Sequence, residues 1–440
     1  MIPTPPEPAS PPPAVDLPAD WARRFFTIWT GQAFSLLGSM LVQFALVWWL
    51  TDTTGSATVL ALATLVGMLP QIFLTPVAGA LIDRWNRRVV MMVADTVIAL
   101  ATLALVLLFW LDVVQVWHIF VILFVRSAAG GFHWPAMDAS TVMMVPRDHL
   151  ARIQGMNQAL GGFMNILAPP LGALLVEALP MQSVLAIDVV TASLAIAPLV
   201  FIDVPQPDRA VDAGNGVRAV WRDVRAGLDY VRAWRGLFLI LMMGGVIGFL
   251  DLPISSLMPI LVTDYFKGGA PELGWLQAAW GIGMVTGGVT LGVWGGFKRR
   301  ILTTVLGVFG FGIGTVILGV APSDAFWLAL VSSFVSGFMF PIMIGPVYAI
   351  VQATVAPEMQ GRVLTLMNSL FLMMSPLSLI FAGPVADLLG VQFWYVMAGI
   401  VYMVLAVGIL FVPAIMHLED HGRAPGEERV PAEEAIPAAD

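Results

Sequence analysis

The chain has 440 residues, of which 58% are hydrophobic and 11% charged, and its mean hydropathy is +0.87. That balance excludes an ordinary soluble domain and points to an integral membrane protein. With no cysteine there is no disulfide framework, thiol nucleophile or thiolate metal site, and much of the net charge of −8 comes from Glu419, Asp420, Glu427, Glu428, Glu433, Glu434 and Asp440 in the C-terminal tail.

The opening stretch, MIPTPPEPASPPPAVDLPAD, carries no Lys, Arg or apolar core, so it fails the pattern of a secretory signal. Residues 1–22 read as a disordered cytoplasmic arm; a Pro-rich ligand for a partner domain is the alternative. A helix needs about 20 apolar residues to cross a bilayer. Cutting the chain at its polar and Gly/Pro joints predicts twelve spans, at 24–50, 56–82, 89–111, 116–144, 151–178, 182–203, 236–263, 272–297, 301–321, 325–354, 362–388 and 391–416.

If these spans alternate in direction, basic residues should collect on the cytoplasmic side. Of the 21 Lys and Arg, 19 do so, leaving Lys267 outside and Arg126 within span four. Both termini are therefore expected in the cytoplasm, with an N-terminal bundle at 23–203, a linker at 204–235, a C-terminal bundle at 236–416 and a disordered acidic tail at 417–440. Within the linker, Val217, Val220, Trp221, Val224, Leu228, Val231 and Trp234 recur at helical spacing, while Arg218, Arg222, Arg225 and Arg232 fall largely elsewhere on the wheel. This predicts an amphipathic helix on the anionic inner leaflet, or else a plain soluble linker helix.

The halves echo one another. GFHWPA (131–136) matches GFMFPI (337–342), VPRDHLARIQGMNQ (145–158) matches APEMQGRVLTLMN (356–368), and GALIDRWNRR (79–88) has a shortened counterpart in GGFKRR (295–300). On these residues the chain resembles the major facilitator superfamily and, within it, the bacterial macrolide and siderophore exporters. GALIDRWNRR looks like the superfamily's charged loop signature, with Asn86 where a second Gly is usual. PAMDAS, MQGRVLTLMNS and AGPVADLLG look like the exporter branch.

The resemblance implies an all-α fold of twelve transmembrane helices in two pseudo-symmetric six-helix bundles, rocking about a cavity lined by spans one, four, seven and ten. Gly79, Asp83, Arg84, Arg87 and Arg88 would form the gating loop. Arg87 and Arg88 fix orientation in the membrane, while Asp83 with Arg84 would latch a neighbouring helix end. Arg126, in RSAAGG, resembles the superfamily's span-four Arg associated with proton coupling; the alternative is a purely structural ion pair. Asp251 on span seven is its expected counter-charge, or else only caps or kinks the span beside Pro253. Asp138 lies about 18 Å nearer the cytoplasm than Arg126 at 1.5 Å per residue and is the weaker partner.

Asp188, Asp387 and Asp95 read as packing or cytoplasmic-gating residues. Ala168, Pro169, Gly172 and Ala173 stand in a degenerate copy of the exporters' antiporter motif, where small residues and proline suit a hinge. Gln32, Gln43, Trp134, Tyr348 and Gln352 are candidate cavity residues, although such side chains in an apolar chain also serve as packing. His118 and His133 lack metal-ligand company, so neither a metal nor any other cofactor is expected.

No GxxxxGK[ST] occurs, which removes ATP hydrolysis as the energy source. The expected activity is proton-coupled export of drug-like or siderophore-like molecules by a monomer in the bacterial inner membrane, with small-molecule substrate, protons and lipid as its partners and no nucleic acid. A lysophospholipid flippase of the same fold is the alternative. An intramembrane enzyme would need a catalytic cluster that the scattered carboxylates do not offer.

Overall fold

The computed structural model of the chain describes residues 20–82, 85–206, 225 and 227–419. Among them are twelve helices long and apolar enough to cross a membrane. They are α1 (Trp21–Thr54), α2 (Ala57–Ile82), α3 (Arg87–Trp110), α4 (Val116–Met144), α5 (Arg147–Ala178), α6 (Met181–Phe201), α7 (Arg235–Ser256), α8 (Ala270–Trp294), α9 (Arg300–Val320), α10 (Phe326–Thr354), α11 (Pro357–Leu389) and α12 (Val391–Leu410). Each matches a predicted span apart from its ends.

The ends follow local chemistry. Asn86 Oδ1 accepts from the Val89 amide (3.3 Å) and caps α3, which gives a local reason for Asn at that position of the loop. At α8 the Glu272 carboxylate reaches back to the Gly269 amide (2.7 Å), and Gly295 closes the helix with φ 74°. Span seven is interrupted. α7 stops after Pro253, and the chain continues through a short turn (Met258–Ile260) into a π-helical turn (Leu261–Tyr265).

The two halves repeat one pattern of packing. α2 packs on α4 as α8 packs on α10, α3 packs on α4 and α6 as α9 packs on α10 and α12, and α1 packs on α5 and α6 as α7 packs on α11 and α12. A polar contact repeats as well. Arg87, the first residue of α3, donates to the Ala139 carbonyl near the end of α4 (3.0 Å), and Arg300, the first residue of α9, donates to the Ala349 carbonyl near the end of α10 (3.1 Å). Arg87 thus corresponds to Arg300, one residue away from the register that matching RR to RR suggests.

We call the end of the molecule that carries the α2–α3, α4–α5, α8–α9 and α10–α11 joints the basic end, and its opposite the far end. Buried apolar residues form three clusters. One spans both bundles and lies mostly toward the far end, with Leu46, Leu60 and Leu185 from the first half and Leu257, Leu273 and Tyr395 from the second. The other two sit near the basic end and belong to single bundles, around Phe25, Met91 and Met144 in the first and around Val231, Ile350 and Val355 in the second. The bundles therefore share a core at the far end and have separate cores at the basic end.

Where the linker is described, residues 227–233 are helical, and Val231 and Trp234 are buried in the basic-end core of the second bundle. This corrects the expectation of a membrane-surface helix for that stretch. Its apolar face is taken up by protein, and Gly227 lies against the Arg362 backbone in the first turns of α11. Residues 217–224 lie outside the described residues, as do Asp83, Arg84, the N-terminal arm and the acidic tail beyond 419.

Candidate functional site

Two cavities meet along α1. The one nearer the basic end, about 830 Å³, is lined only by the first bundle and includes Gln32, Asp95, Arg126, His133, Trp134 and Asp138. The one nearer the far end, about 490 Å³, lies between the bundles, and Asp251 is the sole charged residue in its wall among the described residues. Met40 and Gln43 line both, so the two adjoin along α1.

Arg126 does not reach Asp251. Its guanidinium pairs with Asp188 of α6 (2.5 Å), a residue with no exposed surface, and it also contacts the Thr102 hydroxyl of α3. Asp188 further receives the hydroxyls of Thr102 (2.9 Å) and of Ser39 on α1 (3.0 Å). Four helices of one bundle thus converge on one carboxylate. The expected Arg126–Asp251 pair gives way because α4 and α6 both pack on α3, whereas Asp251 belongs to the other bundle and lines the other cavity. Asp251 is half-buried and makes no hydrogen bond or ion pair among the described residues.

A second buried network lies nearer the basic end. His133 Nε2 stands 3.1 Å from Asp95 Oδ1 and 3.1 Å from Gln32 Oε1, while Gln32 Nε2 donates to Asp95 Oδ2 (3.0 Å). All three residues are less than a tenth exposed. His133, which lacks metal-ligand company in the sequence, and Gln32, expected as a cavity or packing residue, are joined here with Asp95 in a cluster that neither expectation contains.

The remaining candidates separate by place. Asp138 and Trp134 are exposed in the basic-end cavity, and Gln43 is exposed where the two cavities meet. Tyr348 instead lines a small cavity of about 210 Å³ within the second bundle, donating to Asn368 Oδ1 (2.8 Å). Gln352 lines neither central cavity; its backbone carbonyl accepts from the Gln360 side chain (2.8 Å). His118 Nδ1 accepts from the Gln115 amide (2.9 Å) and closes the start of α4.

In the loop signature, Gly79 faces open space, and Arg88 binds the Leu199 and Val200 carbonyls and the Asp203 carboxylate. Arg88 therefore caps the C-terminus of α6, a local role besides any part in orientation.

Helices of the two bundles cross closely at the far end. Ala168 and Pro169 border the far-end cavity, Gly172 lies on Phe44, and Ala173 faces Gly274 of α8. A Cβ on Gly274 would meet Ala173 Cβ at 2.9 Å and the backbone of Pro169 and Pro170 at 3.1 Å, so the close approach of α5 and α8 at this point needs glycine.

On the other flank, Asp387 of α11 accepts from the Ala57 amide (2.8 Å), the Thr58 amide (3.1 Å) and the Ser56 hydroxyl (3.2 Å). Its carboxylate caps α2 across the bundle boundary, where a helix N-terminus favours negative charge. Of the two expected roles, packing or cytoplasmic gating, these bonds describe a packing contact, made at the far end of α11. Asp387→Ala is expected to shift the molecule toward a far-end-open state by about tenfold, the worth of one charge-assisted bond of ~1.5 kcal/mol. The chain has no cysteine, so maleimide labelling of a single cysteine placed at Ser255 reads this directly. Unchanged labelling from the far side would remove Asp387 from the closure.

The profile of the Major Facilitator Superfamily matches residues 28–265 and 246–437. The chain belongs to the major facilitator superfamily. It is 32% identical over 404 residues to "Macrolide efflux protein A" of Streptococcus pyogenes, covering 91% of this chain and 98% of that one. It is 28% identical over 399 residues to "Multidrug efflux pump Tap" of Mycolicibacterium fortuitum, covering 87% and 94%. Among solved structures, a D-xylose-proton symporter aligns with a TM-score of 0.66 at 14% identity, over 90% of this chain and 98% of that one. The nucleoside transporter NupG aligns at 0.67 and 14%, over 89% and 99%. At that identity the likeness carries the fold alone. This member of the superfamily is a multi-pass membrane protein and a secondary active transporter of small molecules, not an enzyme.

Proposed function

We propose that the chain exports bulky amphipathic compounds of the macrolide kind across the bacterial inner membrane, in exchange for protons. With both termini in the cytoplasm, as the positive-inside distribution of Lys and Arg supports, the basic end faces the cytoplasm. The described conformation is then inward-facing, sealed outside by the α5–α8 and α2–α11 crossings. The relatives named for macrolide and multidrug efflux support the substrate class.

One observation carries the reading. The far-end cavity is walled by Phe44, Trp280, Phe311 and Phe340, with the Asp251 carboxylate as its sole charge among the described residues. An apolar, aromatic cavity holds a large amphipathic ligand, and a single carboxylate there selects a protonated amine or a proton, one at a time. Competition for Asp251 couples proton entry to substrate exit. In this reading Arg126 and its bound Asp188 hold the bundle in shape, and Asp138 lies on the proton's route from the cytoplasm.

Uptake of a macrolide into inverted vesicles, with and without a proton gradient, tests this. The wild type is expected to need the gradient, and Asp251→Asn to lose at least tenfold of the gradient-driven rate. Transport that ignores the gradient would end proton coupling, and unchanged coupling in Asp251→Asn would end the role of Asp251.

A further inference from the structure

We infer that His133 and Asp95, oriented by Gln32, form a proton-binding site in the basic-end cavity, distinct from Asp251. The inference rests on the proton-coupled reading above. Buried carboxylates in a membrane protein need a counter-charge or donors. The guanidinium of this cavity, Arg126, is already engaged by Asp188. Asp95 therefore depends on what His133 and Gln32 supply.

The hydrogen-bond pattern fixes which nitrogen can change its state. Gln32 donates its amide nitrogen to Asp95 Oδ2 at 3.0 Å, which leaves its oxygen facing His133. His133 Nε2 thus has two acceptors at 3.1 Å, Asp95 Oδ1 and Gln32 Oε1, so it holds its hydrogen whether the ring is neutral or charged. Nδ1 is the position left to gain or lose a proton, and it makes no hydrogen bond among the described residues. A proton from water in the cavity settles on Nδ1, and the His133–Asp95 pair passes from one net negative charge to none. The N–H bond at Nδ1 forms as an O–H bond of a hydronium ion in the cavity breaks, and water is left behind.

The pair is the buried unit of this cavity that can change its charge, beside the exposed carboxylate of Asp138. Facing the same cavity, α1 contributes Gln32, α2 Gln71, and α5 Gln154, Asn157 and Gln158, all uncharged. α3 contributes Asp95, and α4 contributes Asp138 and Arg126, the latter paired with Asp188 of α6. Imidazole is the side chain suited to change charge near neutral pH. When the pair is neutral, the cavity attracts a cationic substrate less; when it is negative, it attracts one more. Proton binding and substrate binding oppose each other at the cytoplasmic mouth, as exchange transport requires.

The test uses the full chain in proteoliposomes, with a macrolide as probe. His133→Gln keeps a donor toward Asp95 but cannot take up a proton. It is expected to lower gradient-driven transport at least tenfold and to flatten the pH dependence of macrolide binding. Gradient-driven transport and pH dependence equal to wild type would overturn the assignment. A wild type that itself ignores the gradient would instead overturn the proton-coupled reading. If His133→Gln fails to exchange, ¹⁵N-histidine spectra of the wild-type protein decide: one ring should keep Nε2 protonated throughout and show Nδ1 both with and without its proton. The absence of such a ring would overturn the assignment.

Discussion

Asp188→Ala is expected to lower the stability of the protein by about 3–5 kcal/mol, the cost of breaking a buried ion pair and leaving one partner behind. The carboxylate has no exposed surface and collects donors from α1, α3 and α4. Its loss leaves the Arg126 guanidinium among helices with no compensating charge. The double variant Asp188→Ala with Arg126→Ala should recover much of that loss, because it removes the stranded cation along with the anion. Thermal unfolding in detergent of the two single variants and the double variant measures the coupling. A double variant whose loss equals the sum of the single ones would show that the pair does not act as a unit.

Gly274→Leu is expected to prevent closure of the far end. The new Cβ would press on the backbone of Pro169 and Pro170, which cannot move aside as a flexible side chain would. Overpacking of this kind costs about 1–3 kcal/mol, enough to shift the balance between inward- and outward-facing states by roughly five- to 150-fold. The variant should still fold, since each bundle keeps its own core, but transport should fall in proportion to the lost inward-facing population. Labelling of a single cysteine at Ser255 from the far side should rise. Wild-type labelling with wild-type transport would mean that the α5–α8 crossing does not form the outer seal.

The twelve helices were legible because length and apolar content alone decide whether a segment spans a bilayer. Pairing between helices was not, because it depends on which faces meet. At 1.5 Å per residue from the basic end, Asp188 lies about 20 Å deep and Asp251 about 24 Å deep, so depth could not choose between them as partners for Arg126. Membership of one bundle does choose, and Asp188 shares the first half of the repeat with Arg126.

The same measure would have found the missed network. Gln32 and His133 each lie about 16 Å from the basic end and Asp95 about 12 Å, on three helices of one half. Searching His133 only for metal ligands hid that register. Asp387 was legible too, since the charge count that orients the spans runs α11 toward the far end. Tyr348 and Gln352 were drawn in by residue type and by helix, but neither side chain reaches the central cavities. The latch role of Asp83 and Arg84 falls outside the described residues.

The central claim is that macrolide leaves as protons enter. The most direct measurement is proton flux, read with a pH-sensitive dye trapped in proteoliposomes of the purified wild-type protein, when a macrolide gradient is imposed at equal pH. Protons should move opposite to the macrolide, at a rate that follows its concentration and is abolished in Asp251→Asn. Macrolide movement with no proton movement, or proton movement elicited by lysophospholipid and not by macrolide, would contradict it.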